Sequence, residues 1–132
     1  VNGFGLKKGA IAASVAHDSH NIIGVGTNDQ DLLKAIKEVI RRQGGLVIAA
    51  ENKVQGSLPL PIGGLMSEEK AENVVEKLNK MLAKLKVWGA KTPNPFIPLS
   101  FLALPVIPEL KITDLGLVDV AKFQFTSLWI ND

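Results

Sequence analysis

The sequence predicts an α+β fold: a mixed, largely antiparallel sheet with two amphipathic helices packed on one side. Three observations carry that expectation. Apolar residues make up 46% of the 132 residues while aromatics make up only 5%, so the core is aliphatic, which suits a sheet covered by helices. Two segments repeat apolar residues at three- and four-residue spacing, with acids at the start and bases at the end. Around them, short runs of small and β-branched residues are punctuated by Gly, Asn and Asp, the pattern of strands and turns.

Taken in order, residues 1–8 carry Gly3, Gly5 and a Lys7-Lys8 pair. The spacing matches neither the dinucleotide fingerprint nor the P-loop, and no helical pattern follows, so this is read as a flexible entry strand or loop. Ile11 and Val15, then Ile22, Ile23 and Val25, mark two strands with a polar reversal between them. Asn28 is a good N-cap, and Asp29 and Asp31 place negative charge where the helix dipole favours it. Leu32, Ala35, Ile36, Val39 and Ile40 form the buried stripe of this first helix, with Arg41 and Arg42 in its last turn and Gly44 as its left-handed stop. Its charged face, with Lys34, Lys37, Glu38 and Arg41, reads as solvated.

Residues 45–50 are a strongly apolar strand, residues 51–53 a tight turn and residues 54–58 a second strand, together a hairpin. Pro59, Pro61, Gly63 and Gly64 then deny the chain a place in a central ladder. A loop holding Leu60, Ile62, Leu65 and Met66 is too apolar for water and is expected beneath a neighbouring element or against a partner. Ser67 is expected to cap the second helix, with Glu68, Glu69 and Glu72 in its first turns. Its stripe is Ala71, Val74, Val75, Leu78, Met81, Leu82 and Leu85; Lys77, Lys80, Lys84 and Lys86 crowd its carboxyl half, and Gly89 ends it. Five of the seven prolines fall in residues 93–108, among large apolar residues. That segment predicts a compact buried connection with a helical turn or two near Leu99 to Leu104. Residues 113–116 are a turn, and Phe123, Phe125 and Trp129 alternate with polar residues in a closing strand.

The reversal between the first two strands holds both histidines of the chain, His17 and His20, with Asp18, Ser19 and Asn21. A turn centred on Asp18 and Ser19 would oppose the two imidazoles across the strands, with Cβ atoms roughly 4.5–5.5 Å apart. Asp-Ser lacks the glycine a two-residue hairpin prefers, so a longer loop competes with that geometry. Three readings stay open: turn residues satisfied by their neighbours, a ligand or active-site contact, and a metal site. The metal is the weakest of the three, because two histidines and one short acid leave a site short of ligands and the chain has no cysteine.

The composition sets further bounds. The length suits one domain with its own core. The formal charge of +2 is too small to imply nucleic acid, and no aromatics are interleaved with the lysines for stacking. With no cysteine there is neither a disulfide framework nor thiolate chemistry, which fits a reducing compartment. No apolar run approaches the roughly 18 residues a membrane helix needs, and no signal sequence is seen. These features predict a cytoplasmic protein that binds neither membrane nor nucleic acid. Val1 rather than methionine heads the chain, as expected of a piece of something longer. The positive mean hydropathy suggests that part of the surface is covered by something else.

Four blocks carry a resemblance. They are Gly3-Phe4-Gly5-Leu6-Lys7-Lys8-Gly9-Ala10-Ile11-Ala12; Ser14-Val15-Ala16-His17-Asp18-Ser19-His20-Asn21; Leu58-Pro59-Leu60-Pro61-Ile62 with Gly64-Leu65-Met66-Ser67; and Leu99-Ser100-Phe101-Leu102-Ala103-Leu104-Pro105-Val106-Ile107-Pro108. Together, in this order and over residues 3–129, they resemble the carboxy-terminal domain of bacterial and archaeal adenine deaminase. The resemblance implies an amidohydrolase-superfamily enzyme that converts adenine and water to hypoxanthine and ammonia. In that family a metal-activated hydroxide attacks C6 of the purine and an acid/base carboxylate helps ammonia leave. The metal site lies in a (β/α)8 barrel and includes a paired His-x-His.

This chain has two histidines in His-x-x-His spacing, and it is too short for a barrel of roughly 200 residues or more. The resemblance therefore implies that residues 1–132 are the accessory domain without the metal site, inactive alone and partnered by the enzyme's own barrel. A divalent metal, manganese or iron, adenine as substrate and a homo-oligomer are expected of the full-length enzyme. The family places active-site contact and structural interface on equal footing for the histidine loop. In the first case His17 and His20 would be hydrogen-bonding or proton-handling groups, Asp18 their orienting acid, and Ser19 and Asn21 substrate-side residues. The alternatives are a non-catalytic interaction or oligomerisation module, and a small binding protein that uses the histidine loop for a metal or nucleobase.

Overall fold

The computed structural model describes residues 2–129. Strands β1 (Ala10–Ala13), β2 (Ile23–Gly26), β3 (Gly45–Ala50) and β4 (Lys53–Pro59) form one sheet in the order β2-β1-β3-β4, every pair antiparallel. Helix α1 (Asp29–Arg41) links β2 to β3, two strands that run in the same direction with β1 between them. The result is a split βαβ unit extended by the β3–β4 hairpin. Helix α2 (Ala71–Val87) and the short α3 (Phe96–Ser100) follow, and then β5 (Leu110–Thr113), β6 (Gly116–Asp119) and β7 (Gln124–Thr126) make a second, three-stranded antiparallel sheet. The α+β class agrees with the sequence reading. The pairing within both sheets is wholly antiparallel rather than mixed.

The placement of the helices is a correction: they do not share a side. Ala10, Ala12, Val47 and Ala49 cluster with Ala35 and Val39 of α1, whereas Ile11, Ala13, Leu46 and Ile48 cluster with Met81 and Leu85 of α2 and with Phe96 and Leu99. Odd and even residues of one strand point to opposite faces, so α1 covers one face of the sheet and α2 with α3 the other. The α1 face is built of small residues. A Cβ on Gly26 would lie 2.7 Å from the Ala10 Cβ and 3.2 Å from the Leu32 Cβ, and one on Gly24 would lie 2.8 Å from Leu32 Cδ1. The absence of side chains there lets α1 sit close on the sheet. In β4 the register shifts beside Ile48/Ala49, so that Gln55 is the extra residue of a bulge. Val54 therefore packs with the α1 cluster, while Gly56 lies against Met81 of α2.

Several element-level expectations need adjustment. Asn28 caps α1 as read, accepting from the Asp31 backbone N–H at 2.9 Å. The left-handed residues at its end are Gln43 (φ 59°) followed by Gly44 (φ 123°), and Ile40 is exposed. Helix α2 begins at Ala71 behind Lys70, not behind Ser67, whose Oγ instead accepts from the Glu69 N–H in the preceding turn. Within its stripe Met81 and Leu85 are fully buried, but Val75 is exposed. Residues 1–8 are anchored rather than free: Phe4 is buried, and backbone bonds link Lys7 to Trp88 and Lys91 to Phe4. The 59–66 loop buries only Leu60; Ile62, Leu65 and Met66 face outward. In the proline-rich segment Phe96, Leu99, Ala103 and Leu104 are buried, while Ile97, Val106 and Ile107 are not. Strands β5 and β6 lie where the sequence predicts only a turn at residues 113–116 ahead of one closing strand.

Candidate functional site

The histidine loop spans residues 14–22 between β1 and β2 and is fixed at its base by Ser14. The buried Ser14 hydroxyl donates to the Gly64 carbonyl oxygen at 2.5 Å and accepts from the Gly45 N–H at 2.8 Å. It thereby ties the end of β1 to the start of β3 and to the 59–66 loop. Beyond it the chain does not form a two-residue hairpin. The β1–β2 register ends at Ala13 opposite Ile23, and the nine intervening residues fold as an irregular loop. Asp18 (φ 62°) and His20 (φ 47°) adopt left-handed conformations, and the His20 N–H donates to the Ala16 carbonyl at 3.2 Å. His17 and His20 are therefore not opposed across a ladder, which corrects that expectation. A loop of this length turns by its own local hydrogen bonds, not by strand pairing.

His17 is the ordered imidazole. The His17 backbone N–H donates to the Ser100 carbonyl at 2.8 Å, its ring stacks on Phe101 with centroids 5.2 Å apart and planes 25° from parallel, and its Nδ1 lies 3.3 Å from Asp18 Oδ1. Ser19 Oγ donates to Asn21 Oδ1 at 3.1 Å and the Ser19 N–H donates to the His17 carbonyl at 2.8 Å. Asp18, Ser19 and His20 are exposed and Asn21 is half-buried. The five predicted residues thus share one loop surface: Phe101 and Asp18 flank the His17 ring, Ser100 ties its backbone, and the His20 N–H ties that residue to Ala16. Such an array can orient a hydrogen bond or pass a proton at a neighbouring site.

Ser100 and Phe101, which position His17, were missed by sequence reasoning. They lie 83 and 84 positions along the chain from it, and nothing local marks the contact. Next to the loop, Asn21, Ile22, Gly24, Ala103, Ile112 and Asp114 border an open groove of about 260 Å3. Small-molecule sites span about 300–1,000 Å3 and enclose most of their ligand, so this groove lacks a wall. A larger groove of about 380 Å3 between β4 and α2 is lysine-rich. Its cations are occupied: Lys77 pairs with Glu69, Lys80 with Glu76, and Lys84 donates to the Gln55 carbonyl. That supports the reading of solvated helix charges over a nucleic-acid surface.

No group of three or more His, Cys, Asp or Glu side chains that could hold a metal ion occurs among the described residues. His17, His20 and Asp18 therefore do not fit the requirement for a catalytic metal, which takes three protein ligands. Among the described residues no helix is long and apolar enough to cross a membrane.

The sequence profile of the adenine deaminase C-terminal domain matches residues 1–124. The chain belongs to the adenine deaminase C-terminal domain family. Relatives named adenine deaminase include those of Desulfatibacillum aliphaticivorans, 58% identical over 129 residues (98% of this chain, 23% of the relative), and Halalkalibacterium halodurans, 58% over 126 residues (95% and 22%). An archaeal adenine deaminase from Archaeoglobus fulgidus is 52% identical over 128 residues, 97% of this chain and 23% of its own length. The chain therefore spans a little under a quarter of the length of these relatives. The matched stretch includes every strand and helix of the four-stranded sheet and the whole of the histidine loop. As a member of the adenine deaminase C-terminal domain family, the chain is similar to one part of those proteins.

Proposed function

We propose that residues 1–132 are the accessory C-terminal domain of an adenine deaminase, whose full polypeptide hydrolyses adenine to hypoxanthine and ammonia. The observation that carries this reading is the match over nearly the whole chain to relatives of that name at 52–58% identity. The donor set supports a division of labour. With no three-ligand group among the described residues, the divalent metal, manganese or iron, is held by the part of the enzyme outside this chain, where it supplies an activated water. This chain alone is inactive. The catalytic part supplies the wall that the open groove beside the histidine loop lacks, and so brings that loop to the substrate side. His17, held by Phe101 and Ser100, and His20 hydrogen-bond or exchange protons at the substrate side; Asp18 orients His17, and Ser19 and Asn21 line the approach. The enzyme works in the cytoplasm and as a homo-oligomer, for which the many exposed apolar side chains provide surface.

The test is ammonia release from adenine by the full polypeptide and by the chain alone. Activity in the first and none in the second is expected; a full polypeptide that leaves adenine untouched while folded would overturn the assignment. In the same protein His17→Ala lowers kcat at least tenfold with a Tm within a few degrees of wild type, because the ring is half-exposed and its loss opens no buried cavity. Unchanged turnover would make the loop a structural interface. A small binding protein is the other outcome, and calorimetric titration of the 132-residue chain with manganese, zinc or adenine that gave saturable binding lost in His17→Ala/His20→Ala would establish it.

A further inference from the structure

The three-stranded sheet is the least supported part of the molecule. Both buried core clusters draw on residues up to Ala103 and on none of residues 105–129. The register pairs Lys111 with Val118 and Val118 with Phe125, so these side chains share one face, whereas Ile112, Leu117 and Thr126 share the other. The second face is the one turned toward the groove beside the histidine loop, since Ile112 lines that groove with Ile22 and Gly24. The first face is open. There Pro105, Val106, Val118, Phe123 and Phe125, with Gln124 as the one polar member, enclose an apolar pocket of about 290 Å3. Phe123 is 84% exposed and Phe125 61% exposed. Three short strands that add no side chain to either buried cluster and hold aromatic residues in water on one face open easily, and a continuous apolar patch of this kind marks an interaction surface.

We infer that the face of the small sheet bearing Val118 and Phe125, with its apolar pocket, is the surface on which the catalytic part of the same polypeptide docks, seating an apolar side chain between Val106 and Phe123. This rests on the reading of the chain as one domain of a longer enzyme. The relatives are more than four times as long as the matched segment, so the remaining body is much larger than this chain and covalently tethered to it. A tether holds its partner at an effective concentration on the order of millimolar. A second copy in dilute solution must supply the same contacts without that advantage, so the tethered body is the favoured occupant.

Amide hydrogen exchange on the full polypeptide tests this, with wild type compared with Val106→Lys/Phe125→Lys. Both side chains are exposed in this chain, so the charges leave its core intact. In the wild type, the ladder amides of β6 and β7 are expected to exchange at least 100-fold more slowly than in the variant, with β1–β3 unchanged and with no dependence on protein concentration. Equal exchange in wild type and variant would sink the proposal. Protection that rises with concentration would also sink it, because the occupant would then be a second copy. An ammonia-release assay on the same samples separates the two claims. Protected strands in a protein that does not deaminate adenine would uphold docking and remove the deaminase assignment; active wild-type protein with unprotected strands would do the reverse.

Discussion

Asp31 shows how one side chain can join the start of a helix to a distant turn. It is only 4% exposed, yet each carboxylate oxygen has a donor: Asn28 Nδ2 at 2.8 Å from Oδ2 and the Asn52 N–H at 2.7 Å from Oδ1. The second bond steadies the β3–β4 turn, where Glu51 (φ 57°) and Asn52 (φ 56°) both sit in the left-handed region, a conformation that disfavours a residue such as glutamate. Burial pushes the Asp31 carboxyl up, but hydrogen bonds from the Asn28 side chain and from the Asn52 and Glu51 backbone reverse this and hold it below the ordinary 3.8. Glu38 is lowered from 4.5 to about 2, first by its hydrogen bond from Arg41, against burial, and then by Arg42. Both carboxyls thus bind protons more weakly folded than unfolded. Their stabilisation is complete above the ordinary values and is lost as pH falls toward those of the folded state. Urea unfolding curves taken from pH 6 to pH 2 should show Asp31→Asn/Glu38→Gln losing less stability on acidification than wild type. Parallel slopes would deny these two groups that role. At neutral pH Asp31→Ala leaves the Asn52 N–H without its partner and should cost about 1–3 kcal/mol in the same measurement.

Each strand carries its structure in its alternation. β1 and β3 are apolar at every position, a pattern that requires cover on both faces, and their sequences also state which cover is close. Ala10, Ala12 and Ala49, with Gly24 and Gly26 of β2, make a flat bed for α1; Ile11, Leu46 and Ile48 make a deeper layer under α2. The helices announce themselves by period but not by side, since an amphipathic stripe looks the same above a sheet as below it. This is why both helices were legible and the face each covers was not. Gly26→Val would drive a side chain into Ala10 and Leu32 and is expected to cost about 1–3 kcal/mol of unfolding free energy by overpacking. Denaturant melts with an unchanged midpoint would show that α1 has room to withdraw. The start of α2 departs from the expected one because Ser67 has the chemistry of a cap but uses it on the Glu69 N–H in a turn. Four residues later the helix begins without any side-chain cap.

At the scale of the molecule, stability is unevenly distributed. The buried side chains that fill the two clusters come from residues 4–103, and local opening is cheapest where buried apolar contact is scarce. In the 132-residue chain by itself, hydrogen exchange should therefore find β1 and β3 amides opening only with global unfolding, and β5–β7 amides exchanging orders of magnitude faster. Uniform protection would contradict the separation of the small sheet from the core. The histidine loop lies between the sheet, through Ser14, and the weakly held C-terminal strands, through the groove at Ile112.

The amino-acid order by itself determined the α+β class, the existence of both long helices, the β3–β4 hairpin and a polar loop containing both histidines. These depend on period, capping chemistry and turn residues, all of which act over a few neighbours. The opposite placement of the helices, the second sheet, and the seating of His17 on Phe101 and Ser100 were decided only in three dimensions. They join residues far apart in the chain, and short-range preferences carry no information about which of several apolar surfaces a segment will meet. The five loop residues stand out as candidates because histidine is rare here, with two in the chain; the aromatic beneath one of them was hidden because phenylalanine among prolines looks the same whether it fills a core or carries an imidazole.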